Sequence, residues 1–181
     1  MKKIVLDFMA VAAVICGMIL FAGCTDSNKR GLVINEICGE DADGLEWIEV
    51  GNASSDSICI KGYKLRKMDV EGLEKKVYTF PDITLGPDDI YTVNTEDLKA
   101  HIPYKKAVII ELENNQGDVI DSFDSEEELN RESHPRGGSY ARTPNLTGEW
   151  SVVSHATWNA PNSADSAIET DDADLDEELE E

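Results

Sequence analysis

The chain has 181 residues and a formal net charge of −21. That length allows one domain with a core of its own plus tails. The acidity disfavours electrostatic binding to phosphate backbones or anionic lipid headgroups, so nucleic acid is not an expected partner. Ten of the acids, and no Lys or Arg, fall within residues 165–181.

The N-terminus reads as delivery apparatus. Lys2 and Lys3 form a basic start, and residues 8–21 are uncharged and apolar. This run is shorter than the roughly 20 residues a membrane-spanning helix needs. Phe21-Ala22-Gly23-Cys24 follows it and resembles a bacterial lipobox, with Phe21 standing where Leu is usual. The resemblance implies a signal peptide over residues 1–23 and a lipidated Cys24. A polar tether, residues 24–30, then leads to the domain. The expected location is the bacterial cell envelope, anchored by lipid to the outer or inner membrane. Two or more acyl chains hold a protein stably, whereas one holds it marginally. An ordinary secretory signal and an uncleaved anchor are the alternatives.

From residue 31 onward the pattern is that of short strands. Residues 32–37 (LVINEI) are β-branched and apolar around an Asn-Glu pair. Residues 46–50 (EWIEV) alternate acid and apolar residue, the mark of a strand with one buried face. Residues 57–65 (SICIKGYKL) read as a third strand bulged at Gly62. Residues 76–80 and 90–93 follow as strands, and residues 95–102 as one or two helical turns capped by Thr95. Residues 107–112 and 118–123 form the clearest hairpin, after which 125–131 is a brief helix or a solvated loop. Residues 139–142 and 149–153 close the pattern. Strands of this length with turn signals between them predict an all-β sandwich. The segment 163–181 has few large apolar residues and is expected to be a disordered acidic tail.

The order of these segments resembles the lamin-tail domain. That family reads I-N-E-I, then D/E-W-I-E-L-x-N, then V-D-L-S-G-W-x-L. The counterparts here are Ile34-Asn35-Glu36-Ile37, Glu46-Trp47-Ile48-Glu49 with Asn52, and residues 58–65. Tyr78-Thr79-Phe80-Pro81, Gly117-Asp118-Val119-Ile120-Asp121-Ser122-Phe123, Arg142 and Trp150 fit later elements. Asn162 fits the closing T-P-G-x-x-N. The segment 98–104 lacks the family's paired glycine, and Trp158-Asn159 replaces its late Pro-Gly. The resemblance spans residues 31–162. It implies an immunoglobulin-like β-sandwich serving as a protein- or glycan-binding or scaffolding module, with no catalytic residues.

Candidate site residues are few. Cys38 and Cys59 are an even pair in an oxidising compartment, either bridged or two separate thiols. Asn35, Glu36 and Glu49 are polar groups inside strands, and such groups are expensive to bury unpaired. Two readings follow for them. They accept hydrogen bonds from loop backbone or pair with Arg142, or Glu36, Asp41, Asp43, Glu46 and Glu49 supply a calcium site. The second reading would make the chain a calcium-dependent adhesion module or an accessory to a separate secreted enzyme; no other cofactor is expected. His101, His134 and His155 show no zinc-protease spacing, and no nucleophile elbow is present, so an enzyme is not expected. Trp47 and Trp150 are expected in the core, and Trp158 is the ligand-facing aromatic candidate.

Overall fold

The first strand is irregular at its middle, and that irregularity decides what is buried behind it. The computed structural model describes residues 31–168. In chain order its strands are β1 (Leu32–Cys38), β2 (Trp47–Asn52), β3 (Ile58–Cys59), β4 (Lys64–Met68), β5 (Glu74–Thr79) and β6 (Thr84–Leu85). β7 (Ile90–Asn94), β8 (Ile109–Glu113), β9 (Val119–Asp124), β10 (Ser139–Thr143) and β11 (Glu149–Val153) follow. β1 and β2 pair antiparallel with a register shift between Ile34 and Glu36. An extra residue in one strand turns the side chains after it to the opposite face. Leu32, Ile34 and Ile37 therefore all enter the core, while Glu36 and Glu49 stand directly opposite one another on the outer side.

The main sheets are a five-stranded one, β11-β10-β1-β2-β7, and a four-stranded one, β5-β4-β8-β9. All pairings are antiparallel. Their inner faces share one core that includes Ile34, Ile48, Leu65, Phe80, Ile110, Phe123, Tyr140 and Trp150. Fully burying side chains of this size stabilises by roughly 1.5–3 kcal/mol each. The outer face of the second sheet is charged. Arg66 contacts Glu74, Glu111 and Glu113 at 2.8–3.3 Å, and Lys64 contacts Glu113 at 2.6 Å.

Three departures from the sequence reading have simple causes. The strand expected over residues 57–65 is two strands in different sheets. Among the described residues β3 pairs only with β6, and a turn at Gly62 (φ +77°) hands the chain to β4. The helical turn α1 (Thr95–Leu98) is capped by Asn94, whose side chain accepts from the Asp97 N–H, so the cap lies one residue before Thr95. A second short helix, α2 (Ser125–Leu129), is capped by Asp124. Lastly, β2 is buried along its whole length, not on one face. Leu146 sits over Gly51, where a Cβ would come within 2.2 Å of its Cδ2. Trp158 and Asn159 cover Trp47 and Glu49.

Past Asn162 the chain stays on the domain for six more residues, where disorder was expected. Ala167 bridges to Val153, and the Ile168 N–H donates to the Val152 carbonyl at 2.8 Å. The expected signal peptide, Cys24, the tether and residues 169–181 of the acidic tail lie outside the described residues.

Candidate functional site

The two acids on the outer face of β1 and β2 hold down the segment that crosses them. Glu36 accepts from the Thr157 N–H at 2.9 Å, the Thr157 hydroxyl at 2.6 Å and the Ser139 hydroxyl at 2.5 Å. Glu49 accepts from the Asn159 N–H at 2.6 Å and the Thr92 hydroxyl at 3.3 Å. Trp158 lies between these two anchor points, so both its neighbours are fixed by buried carboxyls. Asn35 Oδ1 accepts from the Leu146 N–H at 2.9 Å. Asn162 closes the segment by donating to the carbonyls of Asn35 and Arg142 at 3.1 and 3.0 Å. These bonds match the structural alternative for Asn35, Glu36 and Glu49: each accepts from a loop backbone N–H.

Arg142 takes a different partner from the acids of β1 and β2. Its guanidinium donates to the Ile34 carbonyl (2.8 Å), the Gly148 carbonyl (3.2 Å) and both oxygens of Asp121 (3.0 and 3.1 Å). It also lies 4.6 Å from the centroid of the Trp150 ring. Asp121 in turn accepts from the Ile34 N–H at 2.8 Å. An ion pair thus takes the place of a neighbouring strand at Ile34 and ties the two sheets together.

Electrostatics follow from burial. Glu49 is fully enclosed with no cation beside it and Glu36 opposite, and its carboxyl is pushed up to about 8. Among the described residues its Oε2 has no hydrogen-bond partner, which costs less on a neutral carboxyl than on a carboxylate. Burial raises Glu36 as well, against the pull of Ser139 and Thr157. His134 is buried with Nε2 accepting from the Gly39 N–H and Nδ1 donating to the Pro135 carbonyl, both at 2.9 Å. Burial lowers it to about 4, which keeps the ring in the neutral form that this pair of bonds requires.

The five acids considered for calcium do not converge on one point. Glu36 and Glu49 are used by the crossing segment, and Glu46 accepts from the Ile102 N–H at 2.6 Å and contacts His101. Asp41 folds its own loop, accepting from the N–H groups of Asp43 and Leu45 at 2.9 and 2.8 Å. Among the described residues no three His, Cys, Asp or Glu side chains converge to hold a metal. The stretch from Asp41 to Gly44 is a turn held by its own first side chain. Asp41…Gly44, Asp69…Gly72 and Asn114…Gly117 make the same turn. In each, the first side chain accepts from two backbone N–H groups and the glycine takes a positive φ. The repeated spacing D/N-x-x-G was a sequence signal for this.

Among the described residues Cys38 and Cys59 are separate thiols. Cys38 is buried on β1 with its Sγ 3.3 Å from the Gly138 carbonyl, and Cys59 is exposed on β3. The pairing fails because β3 joins β6 and not the strand neighbouring β1. Trp47 and Trp150 are buried, as expected of core anchors, although Trp47 faces outward from the main core. Trp158 is 41% exposed and meets Trp47 edge-on, with ring centroids 5.5 Å apart. Trp47 Nε1 reaches Asp41 Oδ2 at 3.3 Å, and Leu45 beyond it is half exposed.

Two antiparallel sheets enclosing one core make this an immunoglobulin-like β-sandwich, the architecture of a binding or scaffolding module. The family model described as Lamin Tail Domain matches residues 25–127, and the chain belongs to that family. The match stops inside α2, whereas β10 and β11 beyond it complete the first sheet. No curated protein is significantly similar to the chain.

Proposed function

We propose that this is a non-catalytic, lipid-anchored protein of the bacterial cell envelope, and that its lamin-tail domain presents a binding surface to protein or glycan. The observation that carries the binding reading is the placement of Trp158. A partly exposed indole rests on a buried one, and both its chain neighbours are fixed by carboxyls beneath. Fixing an aromatic before contact lowers the entropic cost of binding. The enclosed acids are absorbed in holding the segment and offer no acid–base pair in an open pocket.

Anchoring rests on residues 8–24, and a Cys24→Ala variant tests it. Metabolic labelling with an alkyne-bearing palmitate is expected to mark the wild-type chain and leave the variant unmarked. An equally labelled variant would end the lipoprotein reading. For the surface, Trp158→Ala is expected to lower retention on purified peptidoglycan or on immobilised envelope proteins at least fivefold. Thermal unfolding should barely change, since the ring is partly in solvent. Unchanged retention on both would remove Trp158 from the reading.

A further inference from the structure

The first sheet is incomplete along one edge of β1. β10 pairs with β1 only at Glu36 and Ile37. The Arg142–Asp121 pair takes over at Ile34, and ahead of Ile34 no strand among the described residues pairs with this edge. The Ala53 N–H bonds the Gly31 carbonyl at 3.0 Å, and Leu32 lies opposite Asn52. By the alternation of an antiparallel ladder, the N–H and C=O of Leu32 point away from β2, as those of Ile34 do. They face a cleft of about 400 Å³ walled by Leu32, Ile120, Trp150, Glu128 and Glu149. Ile120 is 41% exposed, on a strand that is itself a sheet edge. Glu128 and Glu149 have no cationic partner among the described residues.

We infer that this cleft receives an extended, basic segment of a partner protein. Its backbone would pair with Leu32, one apolar side chain would lie on Ile120, and Lys or Arg side chains would meet Glu128 and Glu149. Charge complementarity selects the occupant: an acidic segment such as this chain's own tail would be repelled by the same two carboxylates. An open strand edge gives a segment main-chain hydrogen bonds, and the flanking groups give it selectivity. The inference rests on the domain being a binding module, but on neither Trp158 nor the lipid.

The probe is a fluorescein-labelled decapeptide of alternating Lys and Val, titrated by anisotropy against the full chain in detergent micelles. Glu128→Gln with Glu149→Gln is expected to weaken binding at least tenfold. Glu96→Gln with Glu111→Gln, away from the cleft, should change it less than twofold. An alternating Lys and Pro peptide, which lacks backbone donors at every second residue, is expected to bind at least tenfold more weakly. Trp158→Ala should leave peptide binding unaltered, so loss of the peptide with Trp158-dependent retention intact would overturn the cleft alone. No binding by the wild-type chain overturns the inference. So does equal loss in the distant pair, or equal affinity for the Lys and Pro peptide.

Discussion

Replacing Arg142 by methionine is expected to lower the unfolding free energy by about 3–5 kcal/mol. The side chain is 5% exposed, and it satisfies two backbone carbonyls and one carboxylate at once. Methionine keeps most of the stem's packing against Trp150 but leaves the Asp121 carboxylate without its cation and the Ile34 and Gly148 carbonyls without donors. Removing one partner of an enclosed pair costs far more than the pair contributes relative to an apolar substitute. Urea denaturation followed by tryptophan fluorescence checks this. The midpoint should fall with little change in slope, since the unfolded surface is unaltered. Arg142→Lys is expected to recover only a minor part, because an ammonium cannot aim donors in three fixed directions. Pairing Arg142→Met with Asp121→Asn should recover more, by removing the stranded charge. A loss below about 1 kcal/mol for the single variant would contradict this account.

Arg142 also shows where the sequence was readable and where it was not. Its place in a late strand followed from the order of motifs, and the sandwich followed with it, because alternation and turn residues are local properties. Its partner did not follow. Asp121 lies 21 residues earlier, in the other sheet, and nothing in the spacing of the two says that they meet. Gly62 is a similar case: one glycine in an alternating run marks a bulge or a change of sheet equally well, and only the pairing of β3 with β6 decides. The same pairing decides between the two readings of Cys38 and Cys59, which stand as separate thiols. In β2, alternation was read as one wet face and one dry one. Glu49 is nonetheless fully buried, because residues more than 100 positions later cover it. A buried acid and an exposed acid look alike in a strand until the covering segment is known.

That burial sets the second large effect, the dependence of stability on pH. Glu49 titrates near 8 in the folded protein and near its usual 4.5 when unfolded. Between those values the folded state holds a proton that the unfolded state has released. The contribution is therefore complete below about pH 4.5 and is lost as pH rises through 8, on the order of 5 kcal/mol in all. Glu36, raised for the same reason, acts in the same direction. His134 acts oppositely: at about 4 when folded and 6.5 when unfolded, its contribution is complete above pH 6.5. It is lost toward pH 4, by about 3 kcal/mol. The two slopes oppose each other between about pH 4.5 and 6.5. Glu36 adds to the falling slope, so stability measured by urea denaturation should be highest near the acid end of that range and should fall on the alkaline side through pH 8. Glu49→Gln separates the terms. It keeps an oxygen for the Asn159 N–H but places an amide where Oε2 has no partner. It should be less stable than wild type at pH 5 and more stable at pH 9, with the curves crossing between. A wild-type curve that rises steadily from pH 5 to 9 would mean that Glu49 is ionised in the folded protein, with a cation or water reaching its free oxygen.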